Sequence, residues 1–259
     1  TIAERMGLES DAIIINQTDH FGYKEYMHNG RQIQCYEFRE KGVGLSRNNA
    51  LMRAEAEIVL FSDEDIRYDK GYEKQVLDAF VAHPEADFLL FNVRVGASRA
   101  TYHTKQYHRV HVWNAGRYPT YSFAVRREKL HAVHITFSLL FGGGAKYSNG
   151  EDSLFLKDCL KYGLVVYAIP VEIGSEIERE STWFAGYTDK FFQPVKPHFC
   201  HNIATDIHFM GSLCVLPIII SNAKTKRRYQ KKHQKDSCEI QSIPKTYSCS
   251  LSANPKRFS

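Results

Sequence analysis

Ile58-Val59-Leu60-Phe61-Ser62-Asp63-Glu64-Asp65 runs from four consecutive apolar residues straight into acid. An apolar run of that length reads as a strand buried on both faces, of the kind found in parallel sheets. The pattern recurs on either side. Asp11 precedes Ala12-Ile13-Ile14-Ile15, which ends in the polar cluster Asn16-Gln17-Thr18-Asp19. Residues 32–38, 88–91, 123–125 and 165–170 read as further strands. Helices are predicted between them. Residues 46–56 form one. Residues 72–82 form another, with Val76, Leu77, Phe80 and Val81 on one stripe, and Pro84 stops it. A third runs over 151–162, with Gly163 in the position that follows a helix end. Strands alternating with such helices predict an α/β fold, a mostly parallel central sheet flanked by helices. Ligands of these sheets bind beyond the strand C-termini, and Asn16, Asp19, Asp63 and Asp65 all fall there.

The chain has 259 residues, 43% hydrophobic and 24% charged, which excludes collagen-like and disordered classes. Its formal charge of +5 is unevenly spread. Residues 224–259 hold ten Lys or Arg against two Asp or Glu. Of the totals of 34 and 29, that leaves 24 basic and 27 acidic residues in the rest. The body is therefore slightly acidic, which argues against nucleic acid as a partner. The six cysteines form no C-x-x-C pair, so reduced thiols and a cytoplasmic setting are expected. No apolar stretch reaches spanning length.

Three short patterns carry chemistry. Asp63 and Asp65, two apart at a strand end, project the same way if extended. Paired carboxylates suit a hard divalent cation, Mg²⁺ or Mn²⁺, able to clamp a diphosphate. The plainer alternative is a polar turn. Gly150-Glu151-Asp152, with Ser148 or Asn149 as cap, puts two carboxylates in the first turn of a helix. A carboxylate there can act as general base or only complement the helix dipole. Lys41-Gly42-Val43-Gly44-Leu45-Ser46-Arg47-Asn48 places glycines before a helix start that can receive phosphate, with Arg47 or Lys41 adding charge. It matches neither the P-loop nor the dinucleotide-binding pattern.

Taken together and in this order, Gly42-Val43-x-x-Ser46-Arg47-Asn48, Ile58-Val59-Leu60-Phe61-x-Asp63-x-Asp65 and Glu151-Asp152-x-x-Phe155 resemble the family 2 glycosyltransferases of GT-A fold, over residues 11–169. The resemblance implies transfer of a sugar from a nucleotide-sugar donor, taken as a UDP-sugar, with inversion. It implies that Asp63 and Asp65 hold the metal and the donor diphosphate. Asp152 would be the catalytic base, with Glu151 as second choice. Arg47 would contact the donor, and Asn16 and Asp19 would lie near its base and ribose. It also implies a first strand with a nucleotide contact ahead of Thr1, and Asn16-Gln17-Thr18-Asp19 departs from the family's usual D-D-G-S.

The expected organisation is a catalytic domain over 1–195 and an extension over 196–259. The extension has two readings: the apolar stretch 209–220 and the basic residues after it meet an anionic membrane surface, suiting a saccharide or lipid-linked acceptor, or they form a solvated, disordered basic end. Trp183 and Phe184 are candidates for an acceptor platform, and His198, His201 and His208 are candidates for metal. The pathway expected is bacterial surface-polysaccharide biosynthesis, by a cytoplasmic or peripheral enzyme. The alternative class is a non-catalytic nucleotide-sugar-binding or scaffold protein.

Overall fold

The computed structural model describes residues 1–96, 100–177 and 215–220, the last of these as backbone. Trp183, Phe184, His198, His201, His208 and the basic stretch 224–259 lie outside the described residues.

Helix α1 (Ile2–Met6) ends on Gly7 at φ 65° and leads into strand β1 (Asp11–Gln17). Strands β2 (Gly22–His28) and β3 (Arg31–Phe38) form a hairpin. Asn29 and Gly30, both at positive φ, make its two-residue turn, as the right-handed twist of paired strands requires. Then come α2 (Val43–Arg53), β4 (Ile58–Asp63), β5 (Ile66–Tyr68), α3 (Tyr72–Ala82) and β6 (Phe88–Arg94). After the short β7 (His108–Arg109), two 3-10 turns, Val112–Arg117 and Thr120–Ser122, lead to β8 (Phe123–Arg126) and α4 (Arg127–Ala132). Helix α5 (Glu151–Lys161), β9 (Val166–Glu176) and β10 (Val215–Ile220) complete the described chain.

All ten strands of the described residues join one sheet, in the order β2-β3-β1-β10-β4-β8-β6-β9-β5, with β7 on β9. The α/β class with flanking helices is as expected, but the sheet is not mostly parallel. Only β1–β3 and β6–β9 pair in parallel; the other seven pairings are antiparallel. An apolar run reports burial on both faces, not strand direction. Strand β4 is buried along its whole length although both its neighbours run against it. Strand β10 belongs to the apolar stretch expected at a membrane surface, and its backbone instead pairs with β1 and β4. It lies beyond the boundary expected at residue 195.

Side chains alternate across the sheet. Ile14, Ile33 and Leu60 face one apolar cluster with Met6 of α1 and Tyr72, Val76 and Phe80 of α3. Ile13, Ile15, Val59 and Phe61 face the other, with Leu51 of α2 and Phe155 and Leu156 of α5. Burying each such side chain contributes about 1.5–3 kcal/mol. Val81 of α3, expected on the buried stripe, is half exposed, whereas Tyr72, one turn before Val76, is buried. Cys35 and Cys159 are buried free thiols, and burial raises the pKa of both. Among the described residues no helix is long and apolar enough to cross a membrane.

Candidate active site

Helix α2 organises the site. It starts on Gly42 with no side-chain cap of its own. Gln17, at the end of β1, supplies the missing partner. Its carbonyl oxygen accepts from the Gly42 N–H at 3.2 Å, and its amide donates to Ser46 Oγ at 2.9 Å. The Val43 N–H donates to the Gly143 carbonyl at 2.9 Å. Two of the N–H groups expected to cradle phosphate are thus already occupied from within the chain. Asn48 clasps the backbone of Phe137, accepting from its N–H at 2.7 Å and donating to its carbonyl at 2.9 Å.

That clasp brings residues 137–144 hard against the helix. A Cβ on Gly44 would meet the Ser138 carbonyl oxygen at 2.4 Å. A Cβ on Gly142, which sits at φ 101°, would meet Val43 Cγ1 at 2.3 Å and Glu151 Cδ at 2.8 Å. The glycine run 142–144 therefore serves close packing between the starts of α2 and α5.

Between those two helix starts lies Arg47, only 2% exposed. Its Nη1 donates to Asp152 Oδ1 at 2.7 Å and to Glu151 Oε1 at 3.2 Å, and its Nη2 to Asp63 Oδ1 at 3.4 Å. Its guanidinium lies over the Phe137 ring, which stacks on Phe155 at 3.8 Å, with Phe61 edge-on to both. Burial alone would lower the Arg47 pKa, but Asp152, Asp63 and Glu151 outweigh it and raise it. One fixed cation thus joins carboxylates that lie 16, 104 and 105 residues away in sequence.

The acidic residues are not equivalent. Asp63 and Asp65 are each 4% exposed, Asp63 closing β4 and Asp65 in the turn before β5, so the extended geometry expected of the pair gives way to a turn. Helix α5 starts on Gly150 at φ 101° with no side-chain cap, so neither Ser148 nor Asn149 caps it. Asp152 is held from outside its own helix. The Thr120 N–H donates to Oδ2 at 3.2 Å, and the Thr120 hydroxyl donates to Oδ1. Glu151 is pushed up to about 8, by burial first and the Asp152 charge second, with Arg47 opposing.

The Glu151 shift has a sign that can be measured. The folded chain keeps a proton that the unfolded chain releases near the ordinary value of 4.5. This contribution to stability is complete below that value and lost as pH rises through about 8. Melting temperature is therefore expected to fall between pH 5 and 9, and Glu151→Gln, neutral throughout, to flatten the fall. Parallel curves for the two proteins would refute it.

The remaining expected residues lie apart. Lys41 is exposed beside the glycine run. Asn16 lines a cavity of about 350 Å³ with Ile14, Tyr26, Cys35, Glu37 and Glu64, the residue between Asp63 and Asp65. Asp19 is exposed and paired with His20 at 2.8 Å. The roles of Gln17 and Thr120 escaped sequence reading: a lone Gln at a strand end or a lone Thr in a 3-10 turn carries no pattern.

A helix-flanked α/β sheet that brings Asp63 of the D-x-D and both acids of the E-D onto one arginine has the arrangement of a GT-A fold. Residues 22–143, just under half of the chain, match the family model described as Glycosyl transferase family 2, a similarity that points to glycosyl transfer as the general activity. The matched segment includes Arg47, Asp63 and Asp65; Glu151 and Asp152 follow it. No curated protein matches the chain.

Proposed function

We propose that this protein transfers a sugar from a UDP-type nucleotide donor to a saccharide or lipid-linked acceptor, with inversion and with a divalent cation, in bacterial surface-polysaccharide biosynthesis. The observation that carries the proposal is the convergence of Asp63, Glu151 and Asp152 on the buried Arg47. Nothing in a purely structural core calls for three carboxylates around one guanidinium, since burying such a group costs more than apolar packing of equal volume.

Asp152 acts as the base. It takes the proton of the acceptor hydroxyl as that oxygen attacks the anomeric carbon. Arg47 and Thr120 hold its carboxylate while this happens, and Glu151, protonated at neutral pH, adds no second charge. Asp63 and Asp65 would hold the cation. Two buried carboxylates are the donor chemistry that Mg²⁺ or Mn²⁺ takes, and such ions accept phosphate oxygens and water as further ligands. Among the described residues no three acidic, His or Cys side chains form a metal cluster, so phosphate oxygens and water would have to complete the coordination. When bound, the cation stabilises the negative charge of the departing nucleoside diphosphate.

Asp63→Ala and Asp65→Ala are each expected to weaken UDP binding in the presence of Mn²⁺ by about tenfold or more, the scale of a lost charged contact, and to leave any metal-free binding unchanged. Calorimetry with UDP, with and without Mn²⁺, reads this directly. Equal Mn²⁺-dependent affinity in the variants would remove the metal from these residues. A panel of UDP-, GDP- and CDP-sugars, followed by release of the nucleoside diphosphate, identifies the donor. Binding without release from any donor would favour the non-catalytic class.

A further inference from the structure

Thr120 meets both oxygens of one carboxylate with both of its donors. Its backbone N–H reaches Asp152 Oδ2 at 3.2 Å, and its hydroxyl donates to Asp152 Oδ1. Two donors from one residue fix the plane of the carboxylate as well as its position, because rotation about the last side-chain bond breaks both contacts at once. Thr120 is itself 1% exposed and opens the 3-10 turn Thr120–Ser122. That turn is closed by the Ser122 N–H at 3.0 Å and its Oγ at 2.7 Å, both donating to the Pro119 carbonyl. It runs directly into β8, which pairs with β4 and β6 in the sheet. The carboxylate is thereby referenced to the sheet and not only to its own helix.

Asp152 Oδ1 accepts from both Arg47 Nη1 and the Thr120 hydroxyl, and Oδ2 accepts from the Thr120 N–H, while the Glu151 carboxyl also hydrogen-bonds the Asp152 carboxylate. We propose that Thr120 is the positioning residue of the catalytic base, presenting Asp152 Oδ2 as the atom that takes the acceptor's proton. This rests on the role given to Asp152 above. In the step, the acceptor O–H bond breaks and its proton goes to Oδ2. The acceptor oxygen bonds to the anomeric carbon, and the bond from that carbon to the phosphate oxygen breaks, its electron pair leaving with the nucleoside diphosphate. Thr120 touches none of the reacting atoms.

The test measures nucleoside diphosphate release by the full chain from UDP-glucose, UDP-galactose, UDP-N-acetylglucosamine and GDP-mannose. The fastest of these serves for comparing Thr120→Val, Thr120→Ser and Asp152→Asn. Thr120→Val keeps the shape and the backbone N–H but loses the hydroxyl. It is expected to lower kcat by about 10- to 100-fold, the scale of a misplaced catalytic group, with KM for the donor within about twofold. Thr120→Ser restores the hydroxyl and should recover kcat to within about threefold by the same reasoning. A wild-type kcat in Thr120→Val, with Asp152→Asn inactive, overturns the positioning role and leaves the base in place. A loss in Thr120→Ser as large as in Thr120→Val also overturns it, since the methyl group and not the hydroxyl would then matter. Full activity in Asp152→Asn overturns the base, as does the absence of release by the wild type from every donor, and Thr120's role falls with it.

Discussion

Asp152→Asn is expected to lower sugar transfer by about 10²- to 10⁴-fold, the range that a positioned general base contributes, while UDP binding in the presence of Mn²⁺ stays near that of the wild type. The substitution is close to isosteric but replaces one of two accepting oxygens with an NH₂ donor. Arg47 Nη1 and both Thr120 donors now converge on a group with a single acceptor oxygen. The fold should survive, because Arg47 keeps Asp63 and Glu151 as partners. Turnover and calorimetry on the same preparation separate chemistry from binding. Wild-type turnover would remove Asp152 from the role of base.

Arg47→Met is expected to act on the whole molecule. It leaves Asp63, Glu151 and Asp152 in a buried place without their common cation. Breaking a buried ion pair from one side costs about 3–5 kcal/mol, which for a domain of this size lowers the melting temperature by about 10 °C or more. Glu151 softens the loss, since it carries its own proton at neutral pH. Arg47→Lys keeps the charge but loses the fork that reaches acids on two sides, so it should fall between the wild type and Arg47→Met. An unchanged melting temperature in Arg47→Met would show that the carboxylates do not depend on this residue.

Much of this was legible in the chain itself. The apolar runs gave β1, β4, β6 and β8, and α3 runs over Tyr72–Ala82 as its periodicity predicts. The hairpin strand β2 has no core-facing run, with most of its residues exposed or half exposed, so periodicity passes over it. The Asn29-Gly30 dipeptide was the signal that marks it. Strand direction was not legible, because β8 returns against β4 and β6 through contacts distant in sequence. The acids Asp63, Glu151 and Asp152 stood out by spacing and position. The role of Arg47 did not, since the glycines before it suggested a surface for phosphate. Only the folded chain shows the arginine turned inward on three acids, with Gln17 and Gly143 occupying the helix start.

Strand β4 is closed in on every side, by β10 and β8 along its edges and by an apolar cluster over each face. Amides so enclosed exchange with solvent only when the sheet itself comes apart. Asp63 closes that strand, whereas Lys41 and Asp19 stand on exposed loops whose opening costs little. Asp63 is thus expected to sit on the slowest-exchanging part of the sheet, and the exposed loops of Lys41 and Asp19 on faster-exchanging parts of the chain.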